Sequence, residues 1–169
     1  MQIENCTIAD VNNVFALYEA ARQLQTVRKM VIWPFFEKEH IEREILNNQQ
    51  WKLLIENEMV CNWTVTFSDI DIWEEREKGD AIYIHRLATN PNYRGNNFVQ
   101  KMVDWATVYA KQQGKKYVRL DTLGNNEKLI AHYTQCGFTF LGIVNLTNTQ
   151  NLPLHYQKEP DCCLFEIEL

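Results

Sequence analysis

At residues 93–99 the sequence reads Tyr93-Arg94-Gly95-Asn96-Asn97-Phe98-Val99. An apolar segment typical of a strand, Ala81 to Ala88, precedes this stretch, and a pattern of helical period, Val99 to Gln113, follows it. A strand that enters a helix through a short turn collects unpaired backbone N–H groups at the positive end of the helix dipole. Such a junction binds phosphate groups well. We therefore predict that the stretch binds a pyrophosphate-bearing carrier.

Three kinds of residue in the turn suit this role. Arg94 carries a permanent positive charge, and Gly95 lets the backbone approach a ligand closely. Asn96 or Asn97 tolerates a positive φ, because asparagine enters the left-handed region more easily than most residues. The N–H groups from Gly95 through Val99 would then face the pyrophosphate. On these residues alone, an ordinary strand-to-helix connection is an equally good interpretation.

The periodicity of the whole chain predicts a strand, two helices, three strands, a helix, a strand, a helix and two strands. Interleaved elements of these lengths indicate an α/β fold with a mixed sheet covered on both faces. Residues 68–80 are acidic and are predicted to form a loop. The other predicted elements are, in chain order, Ile3 to Ile8, a helix after Asp10, Lys38 to Leu46, a hairpin of Trp51 to Ile55 and Val60 to Phe67 around Glu56-Asn57-Glu58, Ala81 to Thr89, Val99 to Gln113, Tyr117 to Leu123, Asn126 to Gly137, Phe138 to Val144 and Cys162 to Leu169.

Composition limits the class of protein. The 169 residues predict a single domain over 1–169, and 46% apolar residues are typical of a folded globule. A net charge of −5 argues against a nucleic-acid partner, which needs clustered lysine and arginine. We find no apolar run that could span a membrane and no signal peptide, so we expect a cytoplasmic protein. The five cysteines show no metal-ligand spacing, so we predict no metal and reduced core thiols.

A second motif follows about thirty residues after the turn. Asn126 precedes Tyr133 by seven residues, and the pair Gly137-Phe138 closes the segment. Asn125-Asn126 is also predicted to cap the helix that follows. Together with Leu87-Ala88-Thr89 and the turn after it, these motifs resemble the GNAT acetyltransferase superfamily, and the likeness covers nearly the whole chain. The phosphate loop of that family usually reads Gln/Arg-x-x-Gly-x-Gly/Ala. Here the three slots hold Arg94, Asn97 and Val99, so the arginine is present and both small residues are replaced.

The resemblance implies a single-domain GNAT-like α/β fold. It has a mixed, largely antiparallel sheet of six to seven strands, flanked by about four helices. The fourth and fifth strands, Ala81 to Thr89 and Tyr117 to Leu123, splay apart. The co-substrate implied is acetyl-CoA, whose pantetheine arm bonds to the backbone near Leu87, Ala88 and Thr89. The resemblance assigns the rest of the coenzyme to Arg94, Gly95, Asn96, Asn97, Phe98, Val99 and Asn126.

The predicted catalytic residues are His85 and Tyr133. An amine is mostly protonated near neutral pH, so it must lose a proton before it attacks a thioester. His85 lies on the predicted strand, and an ordinary histidine titrates near pH 6.5, which suits it to take that proton either directly or through water. The resemblance implies that Tyr133 protonates the departing thiolate and that a backbone N–H near Leu87 polarises the thioester oxygen. A hydrogen-bonded interior histidine and a packed tyrosine remain the alternatives.

Recognition of the acceptor is assigned to four aromatic residues, Trp33, Phe35, Trp73 and Tyr83. Packing in the core is the alternative for Trp33 and Phe35, whereas a solvated loop is the alternative for the segment that contains Trp73. Asp69 and nearby acidic residues either attract a cationic acceptor or form a solvated loop. We predict an acetyl-CoA-dependent N-acetyltransferase in which a small primary amine attacks directly within a ternary complex. A protein N-terminus or lysine as acceptor, a non-catalytic acyl-CoA-binding regulatory module, and a homodimer all stay open.

Overall fold

The computed structural model describes all residues 1–169 and contains one seven-stranded sheet. Its strands are β1 Gln2–Asn5, β2 Gln50–Ile55, β3 Glu58–Thr66, β4 Ala81–Thr89, β5 Tyr117–Leu123, β6 Thr139–Asn145 and β7 Asp161–Glu168. They follow the order β1-β2-β3-β4-β5-β7-β6. β4 and β5 pair in parallel, whereas β1–β2, β2–β3, β5–β7 and β6–β7 pair antiparallel. The predicted mixed, largely antiparallel sheet is confirmed.

Six helices interleave with these strands. They are α1 Val11–Val27, α2 Lys38–Leu46, α3 Ile70–Trp73, α4 Phe98–Gln112, α5 Glu127–Gln135 and α6 Leu154–Lys158. Short 3-10 turns lie at Ile8–Asp10, Glu74–Arg76 and Pro91–Tyr93. None of the helices has the length and apolar character needed to cross a bilayer.

The chain forms two compact units, each built from two separate segments. The first comprises Met1–Val65 with His85–Phe98, and the second comprises Thr66–Ile84 with Val99–Leu169. The single domain expected over 1–169 stays a prediction.

The core of the first unit forms where α1 and α2 bury their apolar sides. Val14 and Ile41 are fully buried, and Tyr18 and Ala88 are almost so. The buried residues of α1 recur three and four positions apart, the spacing that places side chains on one face of a helix; they are Val11, Val14, Leu17 and Tyr18. Each large apolar side chain buried in this way stabilises the fold by about 1.5–3 kcal/mol.

The hairpin predicted around Glu56-Asn57-Glu58 is confirmed. Glu56 and Asn57 have φ values of 50° and 65°, and Ile55 pairs with Glu58 across the turn. Two successive residues with positive φ define the tight turn whose twist matches that of paired strands.

In the second unit, the core includes part of the segment that the sequence assigned to a loop. Ile72 and Trp73 are 4% and 1% exposed and pack in the same cluster as Ala81, Tyr83 and Leu164. The loop prediction for residues 68–80 is therefore wrong over α3 and the following 3-10 turn. The acidic residues suggested a solvated segment, but the apolar pair between them drives it into the core.

The pairing between β4 and β5 covers only the first part of β4. The parallel register runs from Ala81↔Tyr117 to Ile84↔Leu120, while β4 itself continues to Thr89. β5 remains paired with β7 as far as Leu123↔Cys162. This partial pairing agrees with the expected separation of the fourth and fifth strands.

Candidate functional site

The 90–98 loop, which we define as Asn90 to Phe98, connects β4 to α4 and is held by hydrogen bonds at its start. The Asn90 N–H donates to the carbonyl of Val60 at 2.8 Å, and the Asn90 Oδ1 accepts from the Asn92 N–H at 3.0 Å. The Tyr93 N–H donates to the Asn90 carbonyl at 3.0 Å. These bonds close the 3-10 turn Pro91–Tyr93, which proline favours because it lacks an N–H to satisfy.

Glu58, at the start of β3, fixes the same loop through both carboxylate oxygens. The Asn90 Nδ2 donates to its Oε1 at 3.0 Å, and the Tyr93 hydroxyl donates to its Oε2 at 2.7 Å. The loop is thereby attached to the β2–β3 hairpin before it reaches Arg94.

The second half of the 90–98 loop has the geometry that anion binding requires. Gly95 and Asn97 have φ values of 83° and 52°, so Asn97 adopts the left-handed conformation predicted for Asn96 or Asn97. Arg94 through Asn97 are exposed, and a Cβ at Gly95 would meet nothing within 4 Å. The fifteen-residue helix α4 starts directly afterwards, so its first N–H groups have no partner within the helix. These residues fit a diphosphate, although Val99 replaces the small residue usual at its position.

His85 differs from its expected behaviour. Its side chain is partly buried on β4, and burial, followed by the positive charge of Arg86, lowers the pKa of His85 to about 3. The expectation that it titrates near pH 6.5 is therefore wrong, and the imidazole is uncharged at neutral pH. Its role as a base stays a prediction, and the low pKa means that the imidazole holds a proton only weakly.

Arg86 interrupts the regular alternation expected along β4. It has a φ of 51°, a left-handed conformation within a strand. Its guanidinium donates to a carboxylate oxygen of Glu44 and, at 3.0 Å, to the Thr64 hydroxyl. This group was not predicted, because its only signal in the sequence is a charged residue inside an apolar strand.

The predicted acceptor residues of the first unit lie between α1 and α2. Trp33 is partly buried, and its ring meets that of Tyr18 edge to face at 5.7 Å between centroids. The backbone N–H of Trp33 donates to Gln25 Oε1 at 2.9 Å. Phe35 is 81% exposed, with the Arg22 guanidinium 3.8 Å from its ring centre. Contact of Trp33 and Phe35 with the acceptor stays a prediction.

The two other predicted acceptor residues belong to the core of the second unit. Trp73 is 1% exposed and Tyr83 is 0% exposed, with their ring centroids 5.7 Å apart. Burial raises the pKa of Tyr83, whose hydroxyl accepts a hydrogen bond from Arg119 Nη1 at 3.0 Å. Burial of both rings in this core argues against direct contact with a substrate, and binding of the acceptor by Trp73 and Tyr83 stays a prediction.

The second unit holds the other predicted motif. Asn126 Oδ1 accepts from the Leu129 N–H at 3.1 Å, so the predicted cap of α5 is confirmed. Tyr133 is partly exposed, and its ring centroid lies 5.3 Å from that of Phe165 and 5.9 Å from that of Phe138. Phe138 meets Tyr133 edge to face, so the Gly-Phe pair of the motif helps to orient the tyrosine ring.

A partly buried acidic pair in the second unit was also not predicted as a pair. Carboxylate oxygens of Asp69 and Asp121 lie within 4.8 Å of each other, and the Tyr156 hydroxyl donates to Asp121 Oδ2 at 2.8 Å. Burial, together with the charge of Asp121, raises the pKa of Asp69 to about 8, and burial also raises the pKa of Asp121. The pair therefore retains a proton at neutral pH. The interpretation of Asp69 as part of a solvated loop is wrong.

The sites implied by the resemblance are thus divided between the two units. The first unit holds His85, Leu87 through Thr89 and the 90–98 loop, and the second holds Val99, Asn126 and Tyr133. Ala88 is 1% exposed and packs in the core of the first unit, so only its backbone is suited to a ligand.

Comparison with known families identifies the chain. The model of the acetyltransferase (GNAT) family matches residues 24–138, more than half of the sequence. The chain belongs to the GNAT acetyltransferase family. Among curated proteins, the N-acetyltransferase YesJ of Bacillus subtilis is 27% identical over 74 residues, and MJ1207 of Methanocaldococcus jannaschii is 31% identical over 78 residues. Both are uncharacterized, and the alignments span 44% and 46% of this chain but only 41% and 30% of those proteins.

Solved structures share the GNAT fold over nearly the whole chain. A GNAT family acetyltransferase from Listeria monocytogenes superposes with a TM-score of 0.79 at 20% identity, covering 99% of this chain and 94% of that one. A ribosomal-protein-alanine N-acetyltransferase from Brucella melitensis gives 0.73 at 15% identity, with both chains fully covered. YncA from Salmonella typhimurium, solved with its cofactor acetyl-CoA, gives 0.69 at 13% identity, covering 100% of this chain and 94% of that one.

Proposed function

We propose that this GNAT protein is an acetyl-CoA-dependent N-acetyltransferase that acetylates the primary amine of a small molecule by direct attack in a ternary complex. The observation that carries the proposal is the exposed turn at Gly95 and Asn97, both left-handed, at the start of a long helix. Acetyl-CoA supplies an activated acetyl thioester. The similar fold of YncA, which was solved with acetyl-CoA, supports the choice of co-substrate.

The 90–98 loop is assigned to the coenzyme diphosphate. Arg94 contributes a charge that does not depend on pH, and the N–H groups from Gly95 to Val99 donate hydrogen bonds to phosphate oxygens. The backbone of Leu87 to Thr89 bonds the pantetheine arm, and Asn126 contributes a further contact. Because hydrogen bonds to Glu58 already order the start of the loop, little conformational freedom remains to be lost on binding.

Tyr133 is assigned the role of general acid. A phenol is protonated at neutral pH and can give its proton to the sulfur that leaves the acetyl group. The aromatic rings of Phe138 and Phe165 restrict the tyrosine ring, so the hydroxyl keeps one direction.

His85 is assigned to orient the amine, whose proton passes to water. An alkylammonium group has a pKa of about 10, which exceeds that of His85 by about 7 units, or about 10 kcal/mol for direct proton transfer. An imidazole with so low a pKa cannot retain the proton. It remains an uncharged hydrogen-bond acceptor throughout the physiological pH range, which suits the binding of an amine that solvent deprotonates.

A protein N-terminus or a lysine is the second acceptor class. Bulky aromatic side chains beside the acceptor would disfavour the open groove that a peptide needs, but Trp73 lies in the core. That argument now depends on Trp33 and Phe35 alone, so peptide acceptors belong in the assay beside small amines.

The experiment combines calorimetric titration of CoA with an assay for free thiol, using acetyl-CoA and a panel of amines and peptides. Asn97→Gly and Asn97→Val form a matched pair. Glycine accepts the left-handed conformation, whereas a β-branched residue there should weaken CoA binding by about five- to thirty-fold. CoA binding without thiol release would favour a regulatory module, and no binding heat would refute the proposal.

A further inference from the structure

Arg86 adopts a conformation that its residue type disfavours. Its φ of 51° lies in the left-handed region, within a strand whose other residues are not left-handed. For a residue with a side chain, this region is disfavoured by about five- to thirty-fold in population. Contacts of the Arg86 side chain must therefore offset the free-energy cost of this backbone conformation.

The guanidinium of Arg86 is held on several sides within the first unit. Its Nη2 pairs with Glu44 Oε1 and donates to Thr64 Oγ1 at 3.0 Å, while its Nη1 lies 3.3 Å from His40 Nε2. Its central carbon lies 4.9 Å from the ring centre of Phe36. The side chains of Arg86 and Glu44 are only 15% and 11% exposed, so solvent screens the pair little.

Glu44 is itself fixed by a chain of buried hydrogen bonds. Gln50 Nε2 donates to Glu44 Oε2 at 2.8 Å and lies 3.0 Å from the Tyr18 hydroxyl. Asn62 Nδ2 donates to Gln50 Oε1 at 2.6 Å. Gln50 and Asn62 are fully buried, so the carboxylate faces Arg86 from a rigid support that connects α2 with β2 and β3.

The conformation of Arg86 determines the direction of the next peptide group. In a regular strand, successive N–H groups point alternately to the two neighbouring strands. A left-handed residue rotates the peptide that follows, which here contains the N–H of Leu87. That N–H is the donor assigned above to the oxygen of the thioester.

We infer that Glu44 is a positioning residue whose ion pair with Arg86 holds β4 in the left-handed conformation that aims the Leu87 N–H. The inference rests on the proposed acetyl transfer, and it assigns to Glu44 no contact with either substrate. It explains why a charged pair occupies a buried place between α2 and β4, where apolar side chains would pack equally well.

The test has a conformational readout that needs neither coenzyme nor acceptor. The three-bond coupling between the amide and Hα protons of Arg86 reports its φ in isotope-labelled protein. We expect Glu44→Gln to shift this coupling towards the extended value. We expect Glu42→Gln, on the same helix and in a more exposed pair with Lys38, to leave it unchanged.

Kinetics then connect the conformation to the reaction. Glu44→Gln should lower kcat by about five- to thirty-fold, the population penalty of the unsupported conformation, with little change in the Kd of CoA. In an Arg86→Gly background, where glycine adopts a positive φ freely, Glu44→Gln should change kcat no further. Glu44→Asp serves as a second variant if Glu44→Gln does not fold.

Three results would overturn the inference. One is an unchanged Arg86 coupling in Glu44→Gln, and another is an equal loss of kcat for that variant with and without Arg86→Gly. The third is a loss of folding stability alone, with kcat per folded molecule unaltered. If no acceptor is acetylated at all, the coupling still decides the conformational part, so failure of the proposed function is distinguishable.

Discussion

Replacing His85 with glutamine tests the electrostatic environment of β4. Glutamine is close to histidine in size and makes hydrogen bonds, but it takes up no proton between pH 4 and pH 8. Burial lowers the pKa of His85 from 6.5 to about 3, so the folded protein binds this proton far more weakly than the unfolded chain does. Protonation therefore stabilises the unfolded state as the pH falls below 6.5, and the native state loses stability relative to it over the same range.

The size of the effect follows from proton linkage. At pH 5 the unfolded histidine is almost fully protonated while the folded one is not, which lowers the free energy of unfolding by about 2 kcal/mol relative to pH 7. His85→Gln removes this contribution. We therefore expect the variant to lose about 2 kcal/mol less than the wild type between these two pH values.

Urea denaturation followed by circular dichroism at pH 7 and pH 5 measures the difference. Comparing the change with pH in each protein cancels contributions from titrating groups that lie far from position 85. Equal m-values at both pH values would show that the unfolding reaction is the same. An identical loss of stability in wild type and variant would refute the low pKa, and with it the role of a permanently uncharged His85.

Three further predictions concern catalysis, the core and the acidic pair. Tyr133→Phe should lower kcat by about 100-fold or more without changing the Kd of CoA, as measured by steady-state kinetics and calorimetry, because only the transferable proton is lost. Trp73→Ala should lower the free energy of unfolding by about 3–5 kcal/mol in urea denaturation, whereas the exposed Phe35→Ala should change it little and instead raise the KM of the acceptor. The pKa of Asp69 is raised to about 8, so ionising this residue destabilises the fold as the pH rises from 4 to 8. The free energy of unfolding of Asp69→Asn should therefore exceed that of the wild type by an amount that grows over this pH range. A difference in stability that does not change with pH would contradict the raised pKa.

Local patterns were sufficient to predict most of the fold. The hairpin at Glu56-Asn57 and the cap at Asn126 depend on short-range backbone chemistry, and both appear as predicted. The strand expected from Ile3 to Ile8 ends earlier, at Asn5, because Thr7 and Asp10 form a capping box that turns the chain before α1. The loop prediction for residues 68–80 was wrong because it gave more weight to the acidic residues than to Ile72 and Trp73, which enter the core.

The candidate site could be predicted only where backbone geometry determines it. The left-handed Asn97 follows from a property of asparagine that the sequence displays. The pKa of His85 depends on burial, and the partners of Arg86 come from β3 and α2, at positions 22 and 42 residues away. No sequence motif encodes those distant pairings, which arise only when the elements pack.

The interleaved path of the chain has a consequence for its synthesis. The first unit needs His85–Phe98 in addition to the N-terminal 65 residues, and residues 66–84 of the second unit lie between these segments. Neither unit can thus be produced as one uninterrupted fragment. On the ribosome, the first unit cannot complete its fold until Phe98 has emerged. Ile72 and Trp73 also leave the exit tunnel before β7, which carries part of the core that they join, has been synthesised.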